Sequence, residues 1–238
     1  MPSETLVMIP PILSDARVFD AQIRALSRQH AVLFAPTCRG ERMEEIASQI
    51  LSWAPTKFAV AGMGMGGMVA MEILRRAADR VTRIALISTS PQADTPEAAA
   101  AREPHIIAAR AGRWADVLQH EINSTWMAPT ADKVGLVRQL TEMGQDMGPE
   151  TYVKQARALQ RRKDQQATMR NITQQTVVIC GRHDGQFQLK RHEFLAELIP
   201  YAQLQVIDEA GYLPTLEAPD EVTALLQEWM KAPLMLRS

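Results

Sequence analysis

The sequence predicts an α/β fold, a mostly parallel sheet with helices on both faces, on three observations. Six short apolar, β-branched runs recur along the 238 residues, helical stretches separate most of them, and one interval is far longer than a crossover needs. Strands buried on both faces lose the apolar–polar alternation of a half-exposed strand, and these runs are apolar throughout.

The first run is TLVMI (Thr5–Ile9), followed by a helix over Ala16–Arg28 with Val18, Phe19, Ile23 and Leu26 at helical spacing. AVLFA (Ala31–Ala35) and KFAVA (Lys57–Ala61) are the next strands, and a helix over Met68–Ala78 follows the turn GMGMGG, Gly62 to Gly67. RIALIS (Arg83–Ser88), TVVIC (Thr176–Cys180) and QLQVI (Gln203–Ile207) complete the sheet, with helices over Phe187–Leu198 and Glu221–Met230 after the last two.

The beat breaks between Ser88 and Thr176. Helical patterns over Glu97–Arg110, Ala131–Met143 and Glu150–Arg161 lie there among scattered prolines, so residues 91–163 are expected to form a helical cap inserted into a core of residues 1–90 and 164–238. Trp114, Trp126, Met127, Met143, Met147 and Tyr152 are candidates for a pocket roof, although a small core of the cap's own accounts for most of them.

Composition narrows the partners. With 26 basic and 27 acidic residues the formal net charge is −1, which gives no electrostatic case for nucleic acid or an anionic membrane and favours a small neutral or weakly charged molecule. No apolar run is long enough to span a bilayer, and MPSETLVMIPP has no basic segment ahead of its apolar residues, so a cytoplasmic location is expected. Cys38 and Cys180 fit a reducing compartment and have no zinc-ligand spacing. Neither a cofactor nor a metal is called for.

The glycine turn admits three readings. Gly62-x-Gly64-x-x-Gly67 matches a dinucleotide fingerprint, but the next strand ends in Ser88-Thr89-Ser90 instead of an acid for the ribose, and the turn follows the third strand instead of the first. A P-loop requires Gly-Lys-Ser/Thr, which is absent. The third reading is a nucleophile elbow, G-x-S-x-G, with Gly62 and Gly66 as framing glycines and Gly64 where the serine belongs.

Three further stretches support the elbow. IPPILSDARVFDAQI, AGMGMGGMVAMEIL, VVICGRHDG and DEAGYLPTLEAPDEV together resemble, in order, the oxyanion segment, elbow, acid-bearing strand end and histidine loop of the α/β-hydrolase superfamily, specifically a small capped esterase- or lactonase-like member. The resemblance maps the Ser, acid, His order onto Gly64, Asp184 and Tyr212, and the two oxyanion N–H groups onto Ile12 and Met65. Only the acid is kept. Gly64 has no atom to attack with, and a phenol titrating near about 10 is a poor base at neutral pH. Loss of nucleophile or base costs on the order of a million-fold in a triad enzyme.

Substitutes are not evident. His183 adjoins Asp184 but is expected in a solvated loop; His105 and His120 fall in the cap; Ser88, Thr89 and Ser90 suit turn or capping roles; His192-Glu193 lacks the second histidine of a zinc motif; and Cys38 has no visible activating partner. Asp184 is expected to be held by the Tyr212 hydroxyl. Three functions follow: a non-catalytic protein binding a small apolar carbonyl compound; an enzyme of altered chemistry (lyase, isomerase or water-mediated hydrolase) using the oxyanion hole with Asp184 and Tyr212; or an esterase- or lactonase-type hydrolase whose site has been mutated.

Overall fold

The computed structural model describes residues 4–234; residues 1–3 and 235–238, the ends of the expected core, lie outside the described residues. Six strands form one sheet: β1 (Leu6–Ile9), β2 (Val32–Phe34), β3 (Phe58–Met63), β4 (Val81–Ile87), β5 (Gln175–Gly181) and β6 (Gln203–Ile207). Their order is β2-β1-β3-β4-β5-β6, and every pairing is parallel. All six apolar runs are therefore strands, within a few residues at each end.

Alternation along the strands divides the core. Val7, Ile9, Phe58 and Val60 face one side, where α2 (Met43–Trp53), α3 (Met65–Ala77) and α9 (Leu189–Leu198) supply Ile46, Ile50, Val69, Ile73 and Leu195. Leu6, Met8, Ala59, Ala61 and Met63 face the other, against Phe19, Leu26 of α1 (Asp20–Leu26) and Val222, Leu226 and Trp229 of α11 (Pro219–Lys231). Each fully buried large side chain of this kind contributes about 1.5–3 kcal/mol.

Local structure departs from expectation in several places. The first helix opens with a 3-10 turn, Ala16–Phe19, before α1, and α3 begins at Met65, three residues early. Helix α2 was not expected; no side chain caps its start, so its boundary is unmarked in the sequence. Between β4 and β5, the stretch expected as one helix is split into α4 (Pro96–Ala101) and α5 (Glu103–Arg110). An additional helix, α6 (Trp114–Glu121), follows. The two remaining patterns join as α7 (Lys133–Gln160), bent at Gly148, whose φ of 74° is followed by Pro149. Two short helices, α8 (Gln166–Arg170) and α10 (Pro214–Glu217), complete the set. Leu13, Ile106, Val117, Leu118 and Tyr152 form a third apolar cluster linking the loop after β1 to α5, α6 and α7.

Topology fixes where a ligand can sit. β2 and β3 lie on opposite sides of β1, so the connections leaving β1 and β3 part at their carboxyl ends and leave a crevice there. Ile9 is paired with Gly62 in register, which sets the segment Pro10–Leu13 beside the glycine turn.

Candidate functional site

The turn after β3 is held by close backbone approach. A Cβ at Gly62 would run into the backbone of Gly66, and one at Gly66 into the Ile9 carbonyl, so neither position tolerates a side chain. Gly64, between them, has φ 53° and ψ −118°, in the strained half of the map that an elbow's central residue occupies. Its N–H donates to the Ile87 carbonyl at 2.9 Å, and its carbonyl accepts from Thr89 Oγ1 at 2.7 Å. Thr89 thus braces the turn, and Ser90 accepts from the Gln92 N–H, both in the turn roles expected of them.

Directly above Gly64 stands Tyr212. A Cβ built on Gly64 would collide with the Tyr212 hydroxyl oxygen and lie 3.0 Å from Pro11 Cβ. The phenol ring is wedged between Trp126 (ring centroids 5.9 Å apart) and Phe187 (6.1 Å). Burial first, and then the negative charge of Asp184, raise its pKa above the ordinary value, so it remains a proton donor at neutral pH.

Its loop is fixed from below and above. Glu217 Oε2 accepts from Gly211 N–H (2.9 Å) and Ala128 N–H (2.7 Å), while Oε1 accepts from Leu213 N–H (2.8 Å). The Trp126 carbonyl accepts from Tyr212 N–H at 2.8 Å and Gly185 N–H at 3.5 Å.

The three side chains converge on a cavity of about 70 Å³, lined by Pro11, Ile12, Met65, Met68, Trp126, Met127, Phe187 and Tyr212 among others. Neither Ile12 N–H, in a turn, nor Met65 N–H, at the start of α3, is taken by another group among the described residues, and both residues line the cavity. Leu13 beyond them is pinned by Gln155 Oε1, itself held by Thr37. The cavity lining therefore includes two residues with untaken backbone N–H groups, Ile12 and Met65, and the Tyr212 phenol.

Asp184 is placed differently from expectation. It does not line the cavity and is not held by the Tyr212 hydroxyl; its Oδ1 accepts from the N–H groups of Gln186 (2.9 Å) and Phe187 (2.7 Å). The short turn after β5 folds the carboxyl back on its own backbone, and Oδ2 lies 3.8 Å from Nε2 of His192 on α9. Both side chains are fully buried. Burial pushes the Asp184 carboxyl up to about 7, against the two N–H donors, and pulls His192 down to about 4. The buried Ser88 hydroxyl nearby has no partner at hydrogen-bonding geometry.

The other candidates separate cleanly. His183 is exposed, as expected of a solvated loop. His105 and His120 pack ring to ring, 3.8 Å between centroids, and neither lines the cavity. Burial raises the thiol pKa of Cys38, and that of Cys180 to about 12, the opposite of nucleophile activation. Of the six aromatic and methionine candidates, Trp126 and Met127 line the cavity, while Trp114, Met143, Met147 and Tyr152 do not.

Sequence reasoning weighed His192 only as part of a zinc motif and missed Glu217, Arg102 and Glu121. The last two line the cavity wall, and no sequence motif marks them. Among the described residues no group of three or more His, Cys, Asp or Glu is disposed to hold a metal ion, and no helix is long and apolar enough to cross a membrane.

Comparison with known proteins follows the same outline. The alpha/beta hydrolase family matches residues 7–225. The pimeloyl-[acyl-carrier protein] methyl ester esterase of Aromatoleum aromaticum is 29% identical over 201 residues, covering 80% of each chain. The protein of that name from Nitrosomonas europaea is 22% identical over 231 residues, 91% of each. Among solved structures, a thermophilic esterase from Thermogutta terrifontis superposes with a TM-score of 0.87 at 22% identity, covering 97% of this chain and 90% of its own. The enol-lactonase from Burkholderia xenovorans LB400 gives 0.85 at 20% identity, covering 98% and 93%.

Proposed function

Because the chain belongs to the alpha/beta hydrolase family, we propose that it is a member that binds a small carbonyl compound and does not carry out serine-type hydrolysis. In this reading Gly64 stands at the nucleophile position, Tyr212 at the histidine position and Asp184 at the acid position, and residues 91–163 form the cap. The N–H groups of Ile12 and Met65 receive the carbonyl oxygen.

One observation carries the reading: the Tyr212 hydroxyl fills the space in which a side chain at position 64 would begin. A serine cannot share that space with the phenol where it now stands. What remains around the cavity is a set of donors suited to an acceptor oxygen, and the relatives named methyl ester esterases make a carbonyl compound the natural occupant.

Glu121 favours a second reading, an enzyme of altered chemistry. Glu121 lines the same cavity, whereas Asp184 does not, so in this reading Glu121 takes the part expected of Asp184. With a carbonyl polarised by the donors, a carboxylate can remove a proton from the adjacent carbon.

The test uses the purified protein with p-nitrophenyl acetate, 2-butanone and 2-pentanone. No ester turnover, a rise in melting temperature with the ketones, and a smaller rise in Tyr212→Phe are expected; ester turnover near 1 s⁻¹, within the ordinary enzyme range of about 1–10³ s⁻¹, overturns the reading. Hydrogen exchange at the ketone α-carbon in D₂O, lost in Glu121→Gln, selects the second reading.

A further inference from the structure

The cavity wall carries two charged side chains, Arg102 and Glu121, and their surroundings are unequal. Arg102, in the turn between α4 and α5, donates from Nε to Asp94 Oδ2 at 3.1 Å. Asp94 is shared: its Oδ1 lies 2.7 Å from Nη2 of Arg162, and Asp94 and Arg162 are 9% and 7% exposed. Two guanidinium groups therefore share one carboxylate, while Glu121 carries the second negative charge at the cavity wall. The two Nη groups of Arg102 make no hydrogen bond within the described residues.

Glu121 is already engaged. Its Oε1 accepts from the Tyr152 hydroxyl at 2.6 Å and lies 3.7 Å from Nδ1 of His105. It is not within ion-pair distance of Arg102. Arg102 pairs with Asp94 through Nε alone, so its two Nη groups are the donors at this wall left for a ligand's oxygens.

We infer that the compound bound in this cavity is a carboxylate-bearing carbonyl compound, its carbonyl oxygen at the donors over Gly64 and its carboxylate on the Nη groups of Arg102. The inference rests on the carbonyl-binding reading above and narrows its ligand to an oxo acid or the half-ester of a diacid. A guanidinium is suited to this task because its planar fork matches both oxygens of a carboxylate, and a partly dry wall strengthens the contact.

The experiment compares oxo acids with their amides, 4-oxopentanoate against 4-oxopentanamide and 5-oxohexanoate against 5-oxohexanamide, by calorimetry and thermal shift. Each pair keeps length and ketone and differs in charge. At least one acid should bind tenfold or more tightly than its amide. That preference should fall towards unity in Arg102→Gln and return in part in Arg102→Lys, which keeps the charge and loses the fork. Should Arg102→Gln fail to fold, Arg102→Lys still reads the preference.

Equal binding of acid and amide, or an acid preference that survives in Arg102→Gln, overturns the inference while leaving the carbonyl-binding reading intact. Binding of neither acids nor amides, together with none by the simple ketones, overturns both.

Discussion

The hydroxyl oxygen of Tyr212 occupies the place where a side chain on Gly64 would begin. The two residues, 148 positions apart, are mutually exclusive with larger partners, so neither can be changed independently. Gly64→Ala should destabilise the fold by about 1–3 kcal/mol through its dihedrals alone, and further by displacing the phenol. Making the same change in Tyr212→Ala should cost less, with a coupling of about 1 kcal/mol in a denaturant double-mutant cycle; strict additivity would mean that the two do not compete for space.

The same exclusion governs any attempt to install hydrolysis. Gly64→Ser alone should remain inactive towards p-nitrophenyl acetate, since the phenol still occupies the space of a side chain at position 64. Gly64→Ser with Tyr212→His should turn the ester over. Activity in the serine variant alone would show that Tyr212 moves aside at little cost.

Asp184 and His192 form a buried pair that the fold holds neutral. The acid, raised from 3.8 to about 7, keeps a proton that the unfolded chain loses, so its contribution to stability falls as pH rises between those values. The histidine, lowered from 6.5 to about 4, excludes a proton that the unfolded chain binds, so its contribution falls as pH drops through that window. The slopes oppose each other and largely cancel between about pH 4 and 6.5. His192→Gln should expose the acid's slope, with stability declining towards pH 7, and Asp184→Asn the histidine's, with stability declining on acidification. Each should approach about 1.4 kcal/mol per pH unit, read from urea midpoints at constant m.

Glu217 is the positioning residue of the Tyr212 loop. Glu217→Gln keeps the shape but removes the charge from one side of three N–H contacts, and should cost about 2–4 kcal/mol. The ketone-induced rise in melting temperature should shrink along with it. A full ligand response in a destabilised Glu217→Gln would confine its role to folding.

Much of this was legible in the sequence. Strands such as KFAVA and TVVIC announce themselves because burial on both faces leaves no room for polar alternation, and the crevice follows once β2 and β3 flank β1. Gly64 and Tyr212 are expected at corresponding places in the motif order, but nothing in the sequence shows their mutual exclusion, because it is a contact between distant loops. Asp184 is expected against the Tyr212 hydroxyl but has other partners: the turn Gly185–Phe187 returns two N–H groups to its carboxyl, and α9 brings His192 from eight residues on. Arg102 and Glu121 lie where α4, α5 and α6 were blurred into one helix or missed, and a charge that faces a cavity has no periodicity to reveal it.

The Trp126 carbonyl has a consequence for motion. Its two backbone bonds, with that from Ala128 to Glu217, join the roof segment 124–128 to the loops carrying Tyr212 and Gly185. At about 1 kcal/mol each, three such bonds hold the separated form near the per cent level. Roof and floor therefore breathe together, and amide hydrogen exchange at Ala128, Gly185 and Tyr212 should report a single opening event.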